Sequence, residues 1–186
     1  MKKLIFTIAF FTVCVTADAQ VNKDTVGLNL PITAGRVIYT GVVEAAGKTK
    51  ADLYRNAQQW LIDAFYNQNG VIQDKDKDAG LVFGQGVFNF SMGVELGSVN
   101  WINHFTIKIE CRDNKYRYSF YNIVINYAAS GNTGFDIEQV LGILLGTQKW
   151  PLPKKAASKV LVQNDVLIKN VILSLKNAMA TTTSDF

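Results

Sequence analysis

The stretch FTIKIECRDNKYRYSF, residues 105–120, alternates apolar and polar side chains on both sides of a small polar turn. Strict alternation predicts β-strands, because successive side chains of a strand point to opposite faces of the sheet. Asp113 and Asn114 both tolerate the positive φ that a two-residue hairpin turn demands. The stretch therefore predicts an antiparallel hairpin whose two strands extend over residues 101–112 and 115–125.

This turn sets the register of the hairpin. On the apolar face it pairs three residues with three aromatic partners: Cys111 with Tyr116, Ile109 with Tyr118 and Ile107 with Phe120. The polar face carries the six residues of the candidate partner-binding face, in three pairs: Thr106 with Tyr121, Lys108 with Ser119 and Glu110 with Arg117. Opposite charges directly across a strand pair stabilise that register.

The polar face has two interpretations. An antiparallel sheet commonly packs one face on the core and leaves the other in water, so the six residues can simply be solvated. Alternatively, an uncovered face with an aromatic residue and paired charges is a docking surface for an envelope protein or a glycan. In that case the Glu110–Arg117 pair contributes orientation more than affinity.

Upstream of the hairpin, the chain predicts a strand, a helix and two further strands. Residues 36–45 are rich in β-branched and aromatic side chains, and Thr49 with Asp52 forms a capping pattern that opens a helix. One helical face carries six apolar residues: Leu53, Ala57, Trp60, Leu61, Ala64 and Phe65. Strands at 71–73 and 81–90 flank the turn DKDKDAG, and Gly84 and Gly86 predict a bulge or a close backbone contact.

Downstream, two more helices are predicted. The first begins at Asp136, with Gln139 three residues later and an apolar stripe that ends before Gly146. The second follows Pro151 and Pro153 and is capped by Asn164 or Asp165. Strand, helix, antiparallel strands and helices in this order predict an α+β fold with helices packed on one face of an antiparallel sheet.

The N-terminus has the pattern of a secretory signal peptide. Lys2 and Lys3 precede the 12-residue apolar run of residues 4–15, and Ala17-Asp18-Ala19 predicts cleavage after Ala19. The run is shorter than the roughly 20 residues that a membrane-spanning helix needs. The alternative is a lipoprotein acylated on Cys14, although Val13 stands where a small residue is expected. Secretion across the membrane predicts a location in the periplasm or on the outer surface of a bacterial cell.

Length and charge narrow the class of protein. The 186 residues divide into a signal peptide at 1–19, a leader at 20–35 and one α+β domain at 36–182. The net charge of +4 falls by one with the predicted signal peptide, so the mature chain gives little reason to expect a polyanion partner such as a nucleic acid. The mature chain has no second long apolar run, so no transmembrane span is predicted in it.

Most familiar catalytic and cofactor sites are missing from the sequence. It has no G-x-S-x-G, G-x-x-x-x-G-K or G-x-G-x-x-G motif, so no cofactor is expected. Cys111 and His104 lie seven residues apart on one strand and therefore point to opposite faces, which argues against a dyad. A single histidine and no second cysteine in the mature chain argue against a metal site. The DKDKDAG turn has alternate aspartates, but Ala79 and Gln85 replace the glycine and the acidic residue of a calcium loop.

Four segments resemble a family of secreted bacterial domains of unknown function with a TATA-binding-protein-like (TBP-like) fold. They are LPITAGRVIYTGVV, KTKADLYRNAQQWL, DKDKDAGLVFGQG and CRDNKYRYSF, and the resemblance covers residues 28–127. It implies a curved antiparallel sheet backed by helices and a place in the cell envelope. It implies neither catalytic residues nor DNA binding, because fold does not determine function.

These observations support a non-catalytic binding module that uses its exposed sheet face, with two alternatives. One is a carrier of a small apolar ligand such as a lipid, with a pocket between helix and sheet lined by Trp60, Phe65 and Tyr118. The other is an envelope hydrolase that uses two carboxylates, which need only meet in space.

Overall fold

The computed structural model describes residues 28–65, 72–94, 97–127, 134–149 and 152–181. The predicted signal peptide, the alternative acylation site at Cys14 and the first part of the leader lie outside the described residues. Within them, no helix combines the length and the apolar character needed to cross a membrane.

The described residues form eight strands and three helices. Six strands make one antiparallel sheet in the order β3-β7-β6-β5-β4, with β8 pairing beside β3 on the outer edge of β7. The strands are β1 (Ile32–Thr33), β2 (Arg36–Val37), β3 (Tyr39–Glu44), β4 (Ile72–Asp76), β5 (Leu81–Val94), β6 (Gly97–Arg112), β7 (Lys115–Tyr127) and β8 (Gly134–Asp136). The helices are α1 (Lys50–Ala64), α2 (Ile137–Leu145) and α3 (Lys154–Ala180).

The central hairpin has the predicted register. Every predicted cross-strand pair is present between β6 and β7, including Glu110 opposite Arg117 and Thr106 opposite Tyr121. In the turn, positive φ occurs at Asn114 (63°) and not at Asp113. Asp113 instead accepts a hydrogen bond from the backbone N–H of Lys50 through its carboxylate, at 2.7 Å. The turn is therefore fixed against the first residue of α1.

A bulge in β7 was not predicted from the sequence. His104 pairs with Val124 and Thr106 pairs with Tyr121, so Asn122 and Ile123 together stand opposite Phe105. Asn122 takes the left-handed backbone conformation (φ 50°) that a bulge requires. The extra residue shifts the alternation of β7, so the buried residues Phe120 and Ile123 are three apart and still face the core.

The glycines of β5 mark a close contact rather than a bulge in that strand. A Cβ on Gly86 would lie about 2.4 Å from the ring of Phe105, which crosses the strand at this point. The irregularity nearby lies between residues 72 and 74 of β4. Of the two predicted roles for these glycines, the close approach is therefore confirmed at Gly86.

Helix α1 begins as predicted. Thr49 is its N-cap: the Thr49 hydroxyl accepts a hydrogen bond from the backbone N–H of Asp52, and the Asp52 carboxylate accepts one from the backbone N–H of Thr49, which together form a capping box. Five of the six predicted face residues are buried, and Ala64, in the last helical position, is exposed. The buried face packs on β5 and β6.

Helix α2 also begins as predicted, but the predicted start of α3 is wrong. Gln139 accepts a hydrogen bond from the backbone N–H of Asp136 at 3.0 Å, and Gly146 ends α2 with φ 77°. Helix α3 starts at Lys154, directly after Pro153. Asn164 and Asp165 lie buried in its interior, where Asp165 bonds Tyr39 and Lys169 instead of capping the helix.

Part of the predicted leader belongs to a small hairpin. Strand β1 pairs with β2 through a turn at Ala34 and Gly35, both of which have positive φ. The predicted single strand over 36–45 is consequently divided into β2 and β3. The backbone N–H of Ile38 bonds the carbonyl of Pro31, which ties this hairpin to the start of β3.

The two faces of the sheet have different environments. Alternate residues of β5, β6 and β7 join side chains from all three helices in one buried cluster, including Val82, Ile109, Phe120, Leu53 and Leu161. The residues between them on the same strands are mostly half-buried or exposed. The predicted α+β class is therefore confirmed, with the helices packed on one sheet face.

Candidate functional site

The sheet face opposite the helices is the first candidate site, and we call it the open face. It is made by alternate residues of four neighbouring strands. Its members are Thr40, Val42, Leu81, Phe83, Gln85, Val87, Ile102, His104, Thr106, Lys108, Glu110, Arg117, Ser119, Tyr121 and Val124. All six residues predicted from the sequence lie on it.

One end of the open face is charged. The guanidinium of Arg117 donates two hydrogen bonds to the carboxylate of Glu110, from Nε at 2.7 Å and from Nη2 at 2.8 Å. The ammonium of Lys108 lies 3.3 Å from the same carboxylate. These contacts, chiefly the hydrogen bonds from Arg117, lower the pKa of Glu110 below its usual range. The three side chains together carry one net positive charge.

The middle of the open face is less exposed than the sequence suggests. Thr106 lies between Gln85 and Tyr121 in the sheet and is buried, at 6% exposure, under its neighbours. Burial also raises the pKa of the Tyr121 hydroxyl. Toward the edge, the hydroxyl of Thr40 donates to the carbonyl of Tyr118 at 2.9 Å and lies 3.1 Å from the hydroxyl of Ser119. Thr106 therefore supports the face rather than offering contact area.

Apolar residues also lie on the open face, and they were not predicted from the sequence. Leu81, Phe83, Val87 and Ile102 are half-buried there, and Val42 is 61% exposed. In β5 the run LVF is apolar on both faces, a pattern that resembles a strand buried on both sides. Only the pairing of Leu81 with Glu110, and of Phe83 with Lys108, places these side chains beside the charged end.

A second candidate site is a groove beneath the outer edge of β3. We define this edge groove as the cavity of about 440 Å³ between β3 and α3, lined among others by Tyr39, Tyr118, Ile172, Leu173 and Lys176. The free edge of β3 and the C-terminal half of α3 form its two walls.

The edge groove differs from the pocket predicted under the first helix. Trp60 and Phe65 are buried and pack edge-on against each other, with ring centroids 5.9 Å apart. The indole N–H of Trp60 bonds the hydroxyl of Ser174 at 3.2 Å. Of the three predicted lining residues, only Tyr118 lines the edge groove, whereas Trp60 and Phe65 are buried in the core.

The remaining polar candidates have structural environments. Cys111 is buried on the core face, and burial raises the pKa of its thiol to about 12, whereas His104 is half-buried on the open face. In the DKDKDAG turn, Asp76 accepts from the backbone N–H of Ala79, and the carbonyl of Asp78 accepts from Lys50. Within the described ranges, no group of three acidic, cysteine or histidine side chains is placed to hold a metal ion.

Most of the sheet lies in a span that matches a known protein family. Residues 39–126 match the family described as a domain of unknown function (DUF4468) with TBP-like fold. This span begins with β3 and reaches the penultimate residue of β7, so it contains the whole open face. The family resemblance predicted from the sequence is confirmed.

Two solved structures share the fold of this DUF4468-like chain. A DUF4468 family protein from Bacteroides ovatus superposes with a TM-score of 0.66 at 16% identity, over 89% of this chain and 99% of its own. A TBP-like protein from Parabacteroides distasonis gives a TM-score of 0.67 at 17% identity, over 83% and 99%. No curated protein matches the sequence. At these identities the likeness extends to the fold and not to a function.

Proposed function

We propose that this chain is a secreted, non-catalytic binding module that docks a partner protein of the cell envelope on its open face. The observation that carries the proposal is the composition of that face. No helix of the described ranges covers this sheet face, which presents Phe83, Leu81 and Val42 next to an ion-paired group of charged side chains. Apolar surface with a polar border is the common composition of protein–protein interfaces.

A protein fits this face better than a glycan does. Leu81, Phe83 and Val42 have hydrocarbon side chains. Moving such side chains from water into contact with other apolar groups lowers the free energy. Lys108 and Arg117 share one carboxylate, so the charged end keeps a positive charge for an acidic group of the partner. We therefore propose a partner with an apolar patch bordered by a carboxylate.

Three carboxylates with defined contacts favour binding over hydrolysis. Glu110 is held by Arg117 and Lys108, and Asp165 is held by Tyr39 and Lys169. Asp52 caps α1. A general acid needs a raised pKa, whereas hydrogen bonds lower the pKa of both Glu110 and Asp52. The hydrolase alternative therefore has no support from these three residues.

The test is site-directed photocrosslinking in native envelopes. A benzophenone amino acid at position 83 is expected to trap a partner, and the same group at Val166, exposed on α3, is the matched control. Lys108→Glu with Arg117→Glu should abolish trapping, while Lys154→Glu with Lys155→Glu, an equal charge change on exposed lysines of α3, should not.

Each outcome decides between the proposals. A protein that is trapped from position 83, lost in the first double variant and bound directly by purified wild type supports the proposal. Trapping of a glycan, equal trapping from both positions, or trapping unchanged by the double variant contradicts it. Circular dichroism of both double variants checks that they are folded, which matters most for the first because Lys108 is half-buried.

A location in the periplasm or on the cell surface is part of the same proposal. It rests on the Lys-rich start, the short apolar run and Ala19 in the sequence. N-terminal sequencing of the protein from a fractionated envelope is expected to begin at Gln20. A diacylated peptide beginning at Cys14 would instead establish the lipoprotein alternative.

A further inference from the structure

We propose that the edge groove binds an amphiphilic organic anion, whose carboxylate meets Lys176 and whose apolar body lies between β3 and α3. The proposal concerns a surface on the other side of β3 from the charged end of the open face, and it does not depend on the docking of a partner protein. Its basis is the shape, the lining and the charge of the groove.

A glycine of β3 makes room for one of the side chains that line the groove. A Cβ on Gly41 would lie 2.6 Å from the hydroxyl and about 2.8 Å from the ring of Tyr118, which pairs across from it in β7. The missing side chain lets the Tyr118 ring lie against the backbone of β3. The ring then forms part of the groove lining, together with Tyr39 from the same edge strand.

The lining combines apolar surface with cations and has no carboxylate. Pro31, Ile172 and Leu173 supply the apolar part, and Leu173 is 56% exposed at the surface of α3. A volume of about 440 Å³ falls in the range of small-molecule sites, which typically hold 300–1,000 Å³. Such a site takes one small amphiphile rather than a folded partner.

The two lysines in the lining are not equivalent. The ammonium of Lys169 lies 2.6 Å from the carboxylate of Asp165, which also accepts a hydrogen bond from the hydroxyl of Tyr39. The charge of Lys169 is therefore already neutralised. The ammonium of Lys176 instead stands over the ring of Tyr118, 5.7 Å from its centroid, and forms no ion pair with the described residues.

Lys176 also borders a second, smaller hollow along β3. That hollow, of about 230 Å³, is lined by Val43, Tyr116 and Met179 and also by the charged residues Glu44 and Lys48. The larger space has no carboxylate in its lining, so it is the one that can hold the apolar chain of an anion bound to Lys176. A ligand with a single negative charge and a flexible apolar body matches this arrangement in charge and shape.

The experiment is a calorimetric titration of the purified protein with dodecanoate, with dodecanol as the uncharged counterpart. We expect saturable binding of one dodecanoate per chain and weaker binding of dodecanol. Lys176→Gln should weaken dodecanoate binding roughly fivefold, the upper range for a partly exposed ion pair. Lys159→Gln removes another exposed lysine of α3 and is the matched control.

A second pair of variants tests the position of the apolar body. Leu173→Glu places a carboxylate at the groove and should abolish dodecanoate binding, whereas Val166→Glu, two turns earlier on the exposed side of α3, should leave it unchanged. The proposal is overturned if dodecanoate fails to bind up to about 1 mM. Equal affinity for dodecanol, or equal effects of the matched variants, overturns it as well.

Discussion

The Cys111 thiol is chemically inert in the folded protein. Its side chain is 1% exposed, and burial raises its pKa to about 12, so almost no thiolate exists at neutral pH. We expect no reaction with Ellman's reagent at about pH 8 in protein that begins at residue 20, and one thiol per chain after unfolding. Rapid reaction of the native protein would contradict this burial.

Glu110 makes the free energy of unfolding depend on pH in the acid range. Hydrogen bonds from Arg117 hold its pKa below the usual 4.5, so the ionised form stabilises the fold above that value. This contribution is lost as the pH falls through the lowered pKa. At about pH 7, Glu110→Gln should lower the free energy of unfolding by about 0.5–1 kcal/mol, as for other partly exposed pairs.

The measurement for Glu110 is urea unfolding at several pH values. The difference between wild type and Glu110→Gln should shrink toward zero as the pH falls from about 7 to about 3, because the wild-type carboxylate becomes protonated. Glu44→Gln, at an exposed position of β3, is a control for the loss of one carboxylate. A difference that stays constant across this range would show that Glu110 acts by packing alone.

The bulge at Asn122 is a property of strand β7 as an element. Asn122 has φ 50°, and its side-chain oxygen accepts a hydrogen bond from Arg36 at 3.0 Å. Asn122→Val should lower the free energy of unfolding by about 1–2 kcal/mol, because a β-branched residue is strained in the left-handed region. Asn122→Gly, which accepts this conformation, should cost much less, and equal losses in urea unfolding would argue against strain.

Helix α3 and strand β3 are joined by a buried polar contact. The hydroxyl of Tyr39 donates to Asp165 at 2.9 Å, and both residues are buried. Tyr39→Phe should lower the free energy of unfolding by about 1–2 kcal/mol, since the largely buried carboxylate of Asp165 loses a hydrogen bond. Tyr121→Phe on the open face is the control in thermal unfolding. A Tyr39→Phe loss no larger than the control's would show that the contact contributes little.

At the scale of the molecule, the sequence predicted those strands and helices whose register or start depends on neighbouring residues in the chain. The β6–β7 register follows from alternation and a two-residue turn, and the α1 and α2 starts follow from capping residues. The start of α3 was not predictable in this way. Asp165 has the chemistry of a cap, but Tyr39, distant in sequence, gives it a buried partner in the helix interior.

The candidate sites show the same division. The six predicted residues of the open face belong to one hairpin and were found from its pattern. Phe83 and Val42 join that face only through pairing with other strands, which the sequence pattern does not specify. The edge groove depends on Gly41, Tyr118 and α3 meeting in space, and a glycine in a short strand gives no signal of what crosses it.

The sheet order gives the parts of this molecule different stabilities. Strands β5, β6 and β7 follow one another in the chain. Strand β3 pairs with β7 although α1 and three strands lie between them in sequence, and Tyr39 lies opposite Phe120. Closing long loops costs more entropy, so we expect β3 to open more often than the β5–β7 meander. Backbone amides of β3 should exchange with deuterium faster than those of β6, and equal protection would contradict this.

Because β3 is one wall of the edge groove, each opening of this strand also dismantles the proposed anion site. A bound dodecanoate would therefore slow deuterium exchange along β3 while leaving the exchange of the meander unchanged. Deuterium exchange along β3 would then report how much of the groove is occupied by ligand.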